Sequence, residues 1–452
     1  MDLTRSIYLI NVHNNPVPYP SAKYCWFALG MILTFFVGQS QAQSVLGNSP
    51  ISRFGLGDLI PEQNVRSLGM GMTGIANPDP DFVNLMNPAL LTFHKMVNLE
   101  VGLSYIAKDL SDVNTTYKSR GGGISYLSFT FPLTKRLVSN LSIMPLSSVD
   151  YSVRFSEKNY FGDGRNFNKV LSGSGGLNKV NFNLGYNLTR RWSVGLAPSL
   201  IFGNINNDVT YGVITPNTSG EPFVITNNNY NIFDATGRAG FNYRMPLDTL
   251  DKHFLSIGGF AELGRNLNGN LLGRIEYLPS SFTTAFRITD TVASGSVKAT
   301  YPAAFGFGIS YSKLLSYTLT ADMQYRLFEG STFGEQRAPY RNSFMVGLGG
   351  EWTPNAYSKN YLGICTYRGG LNYTQQPLVL GGSQLNDYSV SLGITAPMVR
   401  KEAKFTRPYI STALVIGQRG SVAANGISEY YIKACLGITL NDATWFKRYK
   451  HD

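Results

Sequence analysis

Three glycines, Gly69, Gly71 and Gly74, satisfy the G-x-G-x-x-G spacing that cradles a dinucleotide pyrophosphate. That chemistry needs a buried strand ahead of the turn and a βαβ unit around it. Neither pattern flanks these glycines, so no nucleotide site and no other cofactor is expected. Hydrolytic chemistry is equally poorly supplied. Ser172-Gly173-Ser174-Gly175-Gly176 does not read as a nucleophile turn, and His94, His253 and His451 stand apart from any Ser or Cys in a recognisable arrangement. Cys365 and Cys435 fall on separate segments and read as lone thiols, and the His and Cys are too few and scattered for a metal site or a disulfide framework. The expectation is a protein that is not an enzyme. What recurs instead is charge on a single parity: Glu100, Asp234, Arg238, Glu262, Asp322, Arg326, Glu351, Arg368 and Lys433. Their mixed signs predict a paired network inside a narrow lumen, because unpaired charges there would be costly. Asp322, Arg326, Glu351, Arg368 and Lys433 are its expected members.

The segments that carry these charges alternate with period two. Val180, Phe182, Leu184, Tyr186 and Leu188 interleave with Asn181, Asn183, Gly185 and Asn187, and Leu319, Ala321, Met323, Tyr325 and Leu327 interleave with polar residues in the same way. Charged residues are only 15% of the 452-residue chain, aromatics 13%, and 47 residues are Gly. A soluble sandwich would show Lys, Glu and Thr on its outward face. Here one face is almost purely apolar, with Trp192, Tyr311, Trp352 and Tyr105 read as interface aromatics. The predicted fold is therefore all-β: a transmembrane antiparallel barrel of about fourteen strands, an even number as closure requires. Tight connections at Thr134-Lys135-Arg136, Thr189-Arg190-Arg191 and Lys313-Leu314-Leu315 alternate with long ones near 156–177, 213–228 and 268–294. Short turns face the periplasm and long loops the exterior. The net charge of +11 is spread through turns and loops rather than gathered in a basic stripe, so nucleic acid is not an expected partner.

Upstream, Tyr24 to Val37 is the one long apolar run, preceded by Lys23 and followed by small residues through Ala42. It reads as a secretory signal spanning 1–42. The remaining organisation is a non-alternating segment at 43–96, a barrel at 97–440, and a periplasmic tail at 441–452. Asn441-Asp442 is expected to stop the last ladder, as turn-favouring residues do.

The 43–96 segment holds the glycine run and then Asn87-Pro88-Ala89 just ahead of the first strand. A glycine-rich stretch, an Asn-Pro-Ala motif and some fourteen alternating segments together resemble the FadL-like family of outer-membrane transporters for hydrophobic compounds. Ser49-Pro50-Ile51-Ser52-Arg53-Phe54-Gly55-Leu56-Gly57-Asp58 and the stretch Leu436 to Asp442 are similar to the Bacteroidetes group of that family. The resemblance covers the mature chain and implies an N-terminal hatch in the lumen, with Asn87, Pro88, Ala89, Gly69, Gly71 and Gly74 as its motif. It implies passive uptake of molecules such as long-chain fatty acids, whose carboxylate Arg326 or Arg368 could meet. It also implies a lateral gate at the third strand, where Pro145 must interrupt pairing. Outer-membrane lipid and a hydrophobic ligand are the expected partners. The alternative is an accessory barrel of an outer-membrane secretion or assembly machine, with protein partners.

Overall fold

A computed structural model describes residues 46–158, 166–214, 223–250, 252–278, 288–334, 336–398 and 406–443. The signal segment 1–42 and the tail from 444 lie outside the described residues. Fourteen antiparallel strands close into a barrel. The wall begins with β1 (Val97–Ser111), β2 (Thr116–Pro132) and β3, which runs in two pieces, Leu137–Pro145 and Ser147–Glu157. Next come β4 (Asn166–Asn187), β5 (Trp192–Ile214) and β6 (Phe223–Pro246). Two more strands are interrupted: β7 (His253–Glu262, Arg265–Leu278) and β8 (Ile288–Tyr301, Ala303–Lys313). The wall continues through β9 (Tyr317–Leu327), β10 (Ser343–Trp352), β11 (Thr366–Leu380), β12 (Ser383–Pro397), β13 (Thr406–Ser421) and β14 (Ile427–Asp442). β14 pairs back with β1, from Val97↔Asp442 to Ser111↔Ser428, which closes the ring.

The period-two pattern is what fixes which face is which. Leu196, Phe233, Leu319, Leu348, Leu371 and Leu392 all point outward and are exposed, forming an apolar belt, while Asn140, Lys179, Arg238, Asp322 and Glu429 point inward and are buried. Trp192 lies against Tyr243, and Trp352 against Tyr367, all at the short-turn end where an interface girdle belongs. Tyr105 departs from the expectation: it sits well inside β1 rather than at a strand end, because the ladder with β2 continues past it through Ser111↔Thr116.

Two boundaries differ from the sequence expectation. Among the described residues, the stretches expected as long loops are mostly strand, so that β4, β5 and β6 reach 22, 23 and 24 residues while β9 and β10 have 11 and 10. Their outer halves are rich in Asn, Gly, Ser and Thr. Beyond the lipid belt no apolar face is needed, so the alternation disappears although backbone pairing does not. The second difference is at the end of β14. Asn441 and Asp442 do not stop the ladder; they pair with Arg407 and Thr406. The Asn441 side chain is buried, accepting from Asn98 Nδ2 at 2.7 Å and donating to Asp81 O at 3.1 Å, so inward partners override its turn preference.

Candidate functional site

Residues 46–96 pack against inward-facing groups of strands all round the ring. A one-turn helix, Val65–Leu68, is capped by Asn64, whose Oδ1 accepts from Ser67 N at 2.9 Å. The chain then turns back through Gly71 at φ 66 and Met72 at φ 61. A Cβ on Gly71 would lie 2.6 Å from the carbonyl oxygens of Leu348 and Leu371, and one on Gly370 would lie 2.2 Å from Gly71 N. Glycine is therefore required on both sides of this contact, because backbone meets backbone. The amides of Gly74 and Ile75 donate to Asp322 Oδ2 at 2.6 and 2.8 Å. A carboxylate of the wall thus occupies the place that an anionic ligand would take in a nucleotide loop.

Asn87 caps the short helix Pro88–Phe93 with Oδ1 while its Nδ2 donates to Ile75 O at 2.8 Å and Phe241 O at 3.0 Å. The neighbouring wall is again glycine: a Cβ on Gly195 would lie 2.4 Å from Pro88 C, and one on Gly240 would lie 2.2 Å from Asn87 Oδ1. Asn87-Pro88-Ala89 therefore joins three parts of the molecule rather than only turning the chain into β1.

The expected charge network divides. Glu351 and Arg368 do pair, Nε to Oε2 at 3.1 Å, together with Arg66 of the N-terminal segment, whose Nη2 is 2.5 Å from Glu351 Oε1. Asp322, Arg326 and Lys433 are not part of it. Asp322 is spent on the Gly74 and Ile75 amides, and Arg326 sits four residues further along β9, about 13 Å at the strand rise. Among the described residues Arg326 and Lys433 show no ion pair; they line a cavity of about 170 Å³ with Leu59, Met72, Gln324 and Leu378.

Two further clusters form, one of them around Arg238 and Glu262, named from the sequence among the inward charges, and both with residues that it did not single out. Glu62 lies between Lys179 Nζ, 2.7 Å, and Arg238 Nη2, 2.9 Å, and both cations also meet Glu262. Arg419 is 2.8 Å from Asp58 and 3.4 Å from Glu429, which also accepts from Ser49. Lys179 and Glu429 lie on the inward parity of alternating segments and were findable by that signal. Asp58, Glu62 and Arg66 have no periodicity to mark them. Each cluster joins a 46–96 residue to the wall, so the charges brace the segment.

The ladder between β2 and β3 stops at Leu127↔Ile143, two residues before Pro145. Pro145 still faces Asn178 on β4, and Leu146 N donates to Leu177 O at 2.8 Å. On its other side β3 changes partner: Asp58↔Ser148 and Leu59↔Ser147 pair, Ile60 N donates to Leu146 O and Ser49 N to Asp150 O. A Cβ on Gly47 would lie 2.8 Å from Ser119 Oγ of β2. The gap between β2 and the outer half of β3 is thus occupied by residues 46–60 of the same chain. Leu56 packs there in a buried apolar cluster with Leu146, Val149, Leu177, Ile201 and Ile232.

The sequence model of the BamG family matches residues 27–452. A comparison with curated proteins found no match. Among solved structures, the barrel is similar to a FadL homologue from Pseudomonas aeruginosa, with a TM-score of 0.56, 13% identity, and coverage of 86% of this chain and 99% of that one. It is similar to the toluene transporter TbuX of Ralstonia pickettii, TM-score 0.51, 15% identity, covering 87% and 99%. The toluene transporter TodX of P. putida matches with a TM-score of 0.53 and 13% identity over 84% and 98%. The fold is FadL-like.

Proposed function

The chain belongs to the BamG family, and on that premise we propose that it is an outer-membrane barrel through which small hydrophobic molecules pass, entering from the exterior and leaving sideways between β2 and β3. The observation that carries this reading is the missing β2–β3 ladder, where the gap is filled by residues 46–60 of the chain's own N-terminal segment and lined by Leu56, Leu146 and Val149. The similar structures include two toluene transporters, which supports a hydrophobic ligand class. At about 170 Å³ the lumen cavity is smaller than the ~300–1,000 Å³ of ordinary ligand pockets, so passage requires the segment to move. Long-chain fatty acids are one ligand of this class. In this reading Arg326 and Lys433 in the cavity meet the carboxylate, whereas Arg368 is held by Glu351. Pro145 is the gate residue, and Gly69, Gly71, Gly74 and Asn87-Pro88-Ala89 seat the hatch.

The test is a reversible lock. Leu59 and Ser147 are cross-strand partners, so cysteines placed at both positions fix the segment to the wall when oxidised. Oxidised cells should lose uptake of a fluorescent hydrophobic probe and regain it on reduction. Equal uptake in both states would remove the side opening from the path. The second reading, an accessory barrel in an outer-membrane secretion or assembly machine, is supported by the tall one-sided rim of β4–β6. It predicts a defined set of proteins co-purifying in mild detergent.

A further inference from the structure

The outer part of β8 is paired on one side only. It runs against β7 from Tyr277↔Ile288 to Arg265↔Tyr301. On its other side, the described residues offer Ala299↔Phe333 and a Gly334 N to Lys298 O bond; Gly334 lies against the Val297 side chain, and no described residue pairs with the backbone of 289–297. β9 joins β8 only from Ala303↔Leu327 inward. Residues 289–296 are exposed at every position, so side chains on both faces of this strand are wet, and Val292 is 60% exposed. Around Gly295 no heavy atom lies within 4 Å of where a Cβ would be.

An edge of this length is a row of unmet N–H and C=O groups, and proteins ordinarily blunt such rows with proline, short strands or a covering loop. Here no proline interrupts 288–301, and the only defences are a bulge opposite Gly273/Arg274 and the charges Asp290 and Lys298. We propose that the β8 edge at 289–297 is a strand-addition site that takes an extended segment of a different protein on the outer side of the membrane. Main-chain hydrogen bonds would supply the affinity, and short Ser and Thr side chains opposite Thr289, Thr291, Ser294 and Ser296 would pack without clash.

The occupant is not a second copy of this chain. Two copies in one membrane are related by an axis along the membrane normal, and strands tilted by roughly 35–45° would then cross at about 70–90°, too steep for a shared ladder. Charge complementarity sets the direction. An antiparallel partner has an acidic residue near its N-terminal end, opposite Lys298, and a basic one near its C-terminal end, opposite Asp290. This site lies away from the β2–β3 gap, and its test is independent of the transport reading.

The experiment uses the full barrel in lipid nanodiscs and a fluorescent ten-residue Ser/Thr/Val peptide carrying Glu near its N-terminus and Lys near its C-terminus. Binding is read by anisotropy and by hydrogen exchange. The peptide should protect amides within 289–297, and the version with Glu and Lys exchanged should bind several-fold more weakly. Adjacent edge residues aim their N–H groups in opposite directions, so Ser294→Pro and Gly295→Pro are both made. One of the two should weaken binding about tenfold or more. Heat-modifiable gel mobility confirms that each variant still forms the barrel. Protection elsewhere, or binding that survives both prolines, would overturn the proposal. So would efficient disulfide dimerisation of a Ser294→Cys variant, which would make the partner a second copy.

Discussion

Asn87 holds three backbone groups: Ala89 N and Ile75 O, both buried, and the part-buried Phe241 O. Asn87→Ala leaves both carbonyls without that donor at a cost of roughly 1–3 kcal/mol each, so amide exchange at 74–77 and 240–242 should quicken while the rest of the wall is unchanged. Unaltered exchange there would reduce the motif to a turn. His94 gives a prediction of opposite character. It lies outside the membrane-spanning strands, fully buried beside Asp79, and burial holds its imidazole down to about 4. A depressed histidine contributes stability above its unfolded value near 6.5, and that contribution is lost as pH falls toward 4. Asp81 works against it, its carboxyl pushed up to about 6 by burial and by Asp79. The comparison that isolates His94 is therefore with His94→Phe: between pH 7 and 4.5, protease access to the hatch should rise less in the variant than in the wild type. At this scale the sequence shows the motif residues, but the partners of Asn87 and the burial of His94 come from distant strands.

The elements that matter most are the ones with a change of partner. β3 pairs with β2 through Ile143 and with the chain's own 58–59 from Ser147 onward, with Pro145 at the changeover. Replacing Pro145 by Thr restores an N–H and strand propensity, letting β2 and β3 zip further and narrowing the opening. Uptake of a hydrophobic probe should fall several-fold with heat-modifiable mobility intact; uptake equal to wild type would clear Pro145 of any gating role. The break was legible because proline cannot donate in a ladder. What fills it was not, since Asp58 and Leu59 carry no alternating pattern and form a two-residue strand.

Closure is a property of the whole ring. β14 meets β13 on one side and β1 on the other, and Leu436, Ile438 and Leu440 face outward from it. Changing all three to Ser removes roughly 1.5–3 kcal/mol of apolar burial per residue and should abolish heat-modifiable barrel in membranes. Normal insertion of that variant would place the assembly signal elsewhere in the chain. The orientation has its own check. The expected exterior loops near 156–177 and 268–294 run partly outside the described residues, Asp163 and Thr284 among them, so the positions to probe are on the tall rim. A cysteine at Val292 should react with an impermeant thiol reagent on intact cells, and one at Arg190, in a short turn, should not. The reverse pattern would invert the barrel in the membrane.

The sequence by itself determined the lipid-facing belt and the strand count, because a bilayer imposes period two on every strand that crosses it. It also marked Asn87-Pro88-Ala89, Pro145 and the inward charges on the wall. It could not determine where strands end beyond the lipid, because Asn, Ser and Gly pair as readily as they turn once both faces are wet. Nor could it assign charge partners: Glu351 to Arg66, Glu62 to Lys179, and Asp322 to two amides are contacts between residues more than a hundred positions apart. Those depend on which levels of the lumen the hatch reaches, and only the closed barrel brings them together.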